Sequence, residues 1–175
     1  MAAGYSEPLR VRSWYGLPAE LGVEDRLWHL VKVGGVSLSH PPVVNTFLRA
    51  GLPEAERLRL SYLHEFGHLQ TFPLALAHAA ALLWAGLRQG RSLAGWIGWI
   101  LAALLAHEAT WELASESYVA LSDRSAYGGT YRRHPNPFLV LFWVGMTLLS
   151  LGLTFGLMRR RLPGPLREAD GSGPN

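Results

Sequence analysis

The chain contains no cysteine. Disulfide staples and thiolate metal ligands are therefore excluded, and any metal has to rest on His, Asp or Glu. Charge is also scarce. Asp, Glu, Lys and Arg make up 17% of the 175 residues, against about 25% in a soluble globular domain. The deficit lies mostly after residue 70, where long uncharged apolar runs begin. The N-terminus lacks the apolar stretch of a signal peptide, so insertion into a membrane is expected to rely on internal segments. The net charge of +3 comes from scattered basic residues, with one run at Arg159, Arg160 and Arg161 directly after an apolar stretch. That position suits a helix end anchored at lipid headgroups. No aromatic residues interleave with it, which argues against a nucleic-acid partner.

What is present reads as an all-α integral membrane protein with about three transmembrane helices, preceded by a short irregular N-terminal segment. The segment covers residues 1–52. It has room for one helix near residues 19–32 and a strand or two between residues 30 and 45, with a break at Ser39-His40-Pro41-Pro42. A membrane helical metal-binding domain follows over residues 53–161, and the Gly/Pro-rich tail 162–175 is expected to be disordered. The first long helix starts at Pro53, with Glu54 and Glu56 in its first turn, and its apolar run covers residues 71–87. Pro73 is expected to kink it. After the polar turn 88–92, a second helix runs over residues 92–121. Residues 123–137, rich in Gly, Arg and Tyr, read as a loop. The uncharged run 138–158 is the clearest membrane span.

The first helix carries His64-Glu65-Phe66-Gly67-His68. Two histidines at i and i+4 lie on one helix face, one turn apart, where both reach a single zinc ion. A Glu between them stands beside the open coordination position and serves as general base. A third ligand is needed. A hairpin turn centred near Gly90 pairs positions whose numbers sum to about 180, so residue 68 faces Glu112 and residue 64 faces Glu116. Glu108, Glu112 and Glu116 recur every four residues and form one stripe. Carboxylates on a membrane helix are costly unless paired or metal-bound. Two registers fit: Glu112 as ligand backed by Glu116, or Glu108 as ligand backed by Glu112.

The pattern of HExxH on one helix and a ligand Glu on a later one resembles the gluzincins, the thermolysin-like zinc metallopeptidases. In these, the ligand Glu opens a pattern such as E-x-x-S-D, whose last acid hydrogen-bonds the first histidine. Glu112-Leu113-Ala114-Ser115-Glu116 is similar, with Glu in place of Asp. The resemblance implies Zn2+ held by His64, His68 and Glu112, with Glu116 supporting His64 and Glu108 in a supporting place. It also implies a Tyr or His donor to the attacked carbonyl; Tyr127, Tyr131 and His134 are available, and Tyr131 and His134 are the expected donors. Site-2-type intramembrane proteases differ, since their later membrane helix supplies an Asp and residues 138–158 contain no acid.

The expected function is that of a membrane-embedded zinc metallopeptidase or related hydrolase with Glu65 as base. Its expected partners are the bilayer and a peptide or membrane-protein substrate. It would sit in the cell inner or plasma membrane with the metal near one face. Two alternatives stand beside it. Glu65-x-x-His68 with the acidic stripe also fits a di-iron carboxylate protein. The third reading is a non-catalytic membrane scaffold that the metal site stabilises.

Overall fold

The computed structural model describes residues 9–23, 29–33, 36–40, 43–88 and 92–159. The expected disordered tail, residues 162–175, lies outside the described residues.

The N-terminal segment is a sheet rather than irregular chain, and the all-α expectation is corrected to that extent. Strands β1 (Leu9–Arg12), β2 (Pro18–Val23), β3 (His29–Val33) and β4 (Val36–His40) form an antiparallel meander in the order β1-β2-β3-β4. The helix expected near residues 19–32 is replaced by β2 and β3. The reason is a period of two: Ala19 and Leu21 are buried, while Glu20 between them points to the other face. There Glu20 meets its register partners Arg10 at 3.4 Å and Lys32 at 3.5 Å. Each is a cross-strand ion pair at the surface, worth well under about 1 kcal/mol.

A short helix, α1 (Val43–Leu48), is followed by Gly51, whose φ of 77° turns the chain towards the next element. Helix α2 (Glu54–Leu87) is continuous through Pro73. Proline has no N–H to give to the carbonyl of residue 69. The β1–β2 loop supplies the missing donor: the Tyr15 hydroxyl donates to the Leu69 carbonyl at 2.7 Å. Beside it, the Trp14 indole N–H donates to the Gln70 carbonyl at 3.0 Å. The sheet is thereby fastened to α2 where the helix ladder is incomplete. Tyr15→Phe should lower stability by about 1 kcal/mol, the net worth of one hydrogen bond, read as a reduced unfolding temperature in detergent. No change would mean that the loop does not serve as this fastening.

Helix α3 (Leu93–Ser122) begins at Ser92, whose hydroxyl accepts from Gly95 N–H at 3.2 Å. The expected loop 123–137 contains a helix instead, α4 (Arg124–Arg133). Its Tyr127 and Tyr131, at i and i+4, pack with Leu52, Leu60, Leu63, Val119 and Leu139, which outweighs the weak propensity of Gly128 and Gly129. Asn136 caps α5 (Pro137–Met158), accepting from Phe138 N–H at 2.9 Å, with Pro137 at the first helical position.

Three helices, α2, α3 and α5, are long and apolar enough to cross a membrane, with 34, 30 and 22 residues. α2 and α3 form a hairpin and α5 lies along α3. Side chains give their relative levels. Leu139 packs against the cluster that holds Leu60 and Val119, the Thr110 and Ser150 hydroxyls are 2.7 Å apart, and His78 Nε2 lies 3.0 Å from Thr154 Oγ1. The last contact supplies the partner that a histidine within an apolar run needs.

Candidate metal centre

α2 and α3 approach closely at Gly67. A Cβ built there would stand 2.7 Å from the Ser115 carbonyl oxygen and 3.1 Å from Ser115 Cα. Only hydrogen fits, and this contact brings the flanking His64 and His68 onto α3.

The contacts at the crossing involve the pairs that the hairpin count puts opposite each other. His64 Nε2 is 3.1 Å from Glu112 Oε2, and His68 Nε2 is 3.3 Å from Glu112 Oε1. On the far side of each ring, His64 Nδ1 lies 2.8 Å from Glu116 Oε2 and His68 Nδ1 lies 2.8 Å from Ser115 Oγ. His64, His68 and Glu112 each offer a ligand atom, all within 4.8 Å of one another. Around tetrahedral zinc, with bonds of about 2.0–2.2 Å, ligand atoms stand about 3.3 Å apart.

The hydrogen bonds fix the tautomers. Glu116 as a carboxylate only accepts, so His64 Nδ1–H donates to it. Ser115 has one hydroxyl proton, which goes to the Trp111 carbonyl at 2.9 Å, so Ser115 Oγ accepts from His68 Nδ1–H. Both Nε2 lone pairs then face the Glu112 carboxylate at 3.1 and 3.3 Å, acceptor against acceptor. Such a group needs positive charge at its centre, supplied either by a proton on each imidazole or by one shared cation. A single divalent ion satisfies all three ligands at once, so the residues fit a metal. With no sulfur and a carboxylate present, the donor set suits zinc, iron or manganese.

Glu116 is itself held by Arg49. Nη1 donates to Oε1 at 2.9 Å and Nη2 to Oε2 at 2.8 Å, with both side chains fully buried. Arg49 Nη1 also donates to the Tyr131 hydroxyl, which donates to the Leu48 carbonyl at 2.9 Å. Asn136 Nδ2 adds a bond to the same carbonyl at 3.0 Å. The support therefore runs from α1 and α4 through Arg49 and Glu116 to His64. Burial works against the Arg49 charge, but the adjacent Glu116 outweighs it and raises the guanidinium pKa. Burial pushes the Tyr127 and Tyr131 phenols up.

The other expected site residues are distributed as follows. Glu65 is buried at 3% exposure, next to His64 on α2. Glu108 is exposed and stands outside the three-residue group, so it gives no support there. Tyr131 does not serve as a donor at the cluster, because its hydroxyl is engaged by Arg49 and Leu48. His134 ends α4, its backbone N–H bonding the Thr130 carbonyl at 2.9 Å, and the structure does not bring it to the group. Two residues that sequence reasoning misses are Ser115 and Arg49. Ser115 lies inside the Glu112–Glu116 pattern. The only signal for Arg49 is that a buried second carboxylate requires a cation.

No protein-family model matches the chain, and neither a curated protein nor a solved structure matches it.

Proposed function

We propose that this chain is an integral membrane zinc metallopeptidase or related hydrolase, with His64, His68 and Glu112 as metal ligands and Glu65 as general base. The observation that carries the reading is the convergence of two Nε2 lone pairs on the Glu112 carboxylate, with each Nδ1 engaged by a separate partner. A zinc ion bound there supplies Lewis acidity towards a carbonyl oxygen and activates a water. Glu116 and Ser115 hold the two rings in the ligating tautomer. The Glu65 carboxylate takes the proton of the attacking water and passes it to the leaving amine. Arg49 keeps Glu116 oriented without touching the reacting atoms. The apolar character of α2, α3 and α5 supports a site built within a membrane domain.

The test is Glu65→Gln in the purified full chain. Zinc should remain near one ion per chain, and cleavage of a quenched fluorescent peptide library should fall about 10²–10⁴-fold, the usual worth of a general base. Undiminished cleavage with metal retained would reject Glu65 as the base and with it this mechanism. Two irons per chain would replace it with the di-iron reading, although the three-residue group contains only one carboxylate.

A further inference from the structure

The metal centre leaves two histidines of the spans unused. His78 lies in the uncharged run of α2, and His107 directly follows the apolar run of α3. Their rings stack across the helix interface, with centroids 5.8 Å apart and planes 21° from parallel. His78 Nε2 meets Thr154 Oγ1 on α5 at 3.0 Å. The pair therefore ties three helices together. Yet Nδ1 of each ring is buried without a hydrogen-bond partner. Orphaned polar atoms of this kind are rare in packed proteins.

The surroundings suit neutral rings. α5 offers the Thr154 hydroxyl and contains no ionisable side chain. Between Leu69 and Leu87, α2 has no other titratable residue, and α3 has none before His107. Glu108, next in the chain, is exposed, and among the described residues no carboxylate bonds either Nδ1. Towards the metal centre, His107 meets the uncharged ring of Trp111 at 5.9 Å. A proton added to His78 makes both ring nitrogens donors, and Thr154 accepts from only one of them. A proton added to His107 leaves its Nδ1–H with no acceptor. An unpaired charge within a membrane domain is costly, and two like charges on stacked rings are costlier still.

Trp111 joins this pair to the metal centre. Besides its contact with His107, it stands edge to face with the ligand His68, at 5.0 Å and 85°. Its indole N–H donates to the His68 carbonyl at 3.3 Å. A shift of α3 against α2 at His107 is thereby carried to a ligand.

We infer that His78 and His107 form an acid-sensitive latch that holds α2, α3 and α5 closed beside the metal centre. Its effect on that centre rests on the metal-hydrolase reading, whereas the latch itself does not. A proton favours whichever arrangement holds it better. The closed bundle gives an imidazolium no anion, and parted helices give it water. The latch is therefore shut at neutral pH and above. It opens as the pH falls below about 6.5, where an imidazole in water takes up a proton.

The chain has no cysteine, so paired spin labels go only where cysteines are introduced. Leu83→Cys on α2 and Phe155→Cys on α5, at positions exposed by 57% and 70%, report the gap between these helices. The sample is zinc-loaded full-length protein in phosphatidylcholine vesicles. The interspin distance should lengthen reversibly on going from about pH 8 to about pH 5, either side of the imidazole range. His78→Gln/His107→Leu cannot take up the proton and should keep the short distance at both pH values. His78→Gln/His107→Gln is a second such variant, should the first fail to fold. Both should also lose zinc more slowly than the wild type during dialysis at mildly acid pH. An unchanged distance in the wild type, the same lengthening in the variants, or equal zinc loss from wild type and variants would each overturn the latch. Failure of the hydrolase reading looks different: the helices part in acid as described, and the zinc-loaded chain cleaves no peptide at any pH.

Discussion

Arg49→Leu should be among the most damaging single substitutions in the chain, lowering stability by about 3–5 kcal/mol, the usual loss on breaking a buried ion pair from one side. Arg49 and Glu116 are both inaccessible to solvent, and their contact is bidentate at 2.9 and 2.8 Å. Leucine leaves the Glu116 carboxylate buried with one remaining donor, His64 Nδ1–H. The same change at Arg10, whose side chain is 88% exposed, should be nearly silent, because water replaces the lost partner. Arg49→Lys should not rescue, since an ammonium has no planar fork to meet both oxygens. The double variant Arg49→Leu with Glu116→Gln should recover much of the loss, as the amide at position 116 still offers His64 an acceptor and carries no charge. Unfolding temperatures of the four proteins in detergent read this out. Zinc affinity should fall about 10–100-fold in the single variant, the usual effect of disturbing a ligand's support. A loss below about 1 kcal/mol, the range of an exposed pair, would mean that Arg49 is not buried against Glu116.

Gly67→Ala should break the site without touching a ligand. On a helix, alanine in place of glycine ordinarily stabilises by about 0.5–1 kcal/mol. Here the sign reverses, because the new methyl would sit 2.7 Å from the Ser115 carbonyl and 3.1 Å from its Cα. These are backbone atoms of a packed helix and cannot rotate away, so α2 and α3 must separate. Overpacking of this kind costs about 1–3 kcal/mol. Separation acts directly on the gaps between His64, His68 and Glu112. Zinc affinity should therefore fall on the order of 100-fold, the upper range for a disturbed ligand shell, while helix content by circular dichroism is kept. Gly98→Ala, with nothing within 4 Å of its added Cβ, is the matched control and should bind zinc normally. Equal affinity of the two variants would show that the close crossing does not set the metal geometry.

Some of this architecture is legible in the sequence for plain reasons. The i, i+4 histidines and the short turn near Gly90 constrain each other, because a tight hairpin leaves little freedom in which residues face across it. That is why positions 64 and 116, and 68 and 112, come together. The uncharged run before Met158 needs only hydropathy to be read. Arg49 is out of reach because it lies 67 residues from Glu116 in the chain and meets it only after α1, α3 and α4 have assembled. The N-terminal sheet is hidden by short strands whose alternation, as at Ala19-Glu20-Leu21, is brief enough to pass for a single helix turn. Tyr131 stands out in the sequence for its position after the acidic helix. Its hydroxyl, however, is spent on positioning Arg49 rather than on facing the cluster. Pro73 lies inside α2, where the Tyr15 hydroxyl gives the Leu69 carbonyl the donor that the proline lacks.

Whether His64, His68 and Glu112 hold one metal ion is tested most directly by metal content, measured by mass spectrometry on protein purified in detergent after equilibration with zinc. The proteins to compare are the wild type, His64→Ala, His68→Ala, Glu112→Ala and, as a control, Glu108→Ala. About one zinc per chain is expected in the wild type and in Glu108→Ala, as for a single three-ligand site, and little or none in the other three. Full zinc occupancy in Glu112→Ala, or loss of zinc in Glu108→Ala with Glu112 intact, would contradict that assignment.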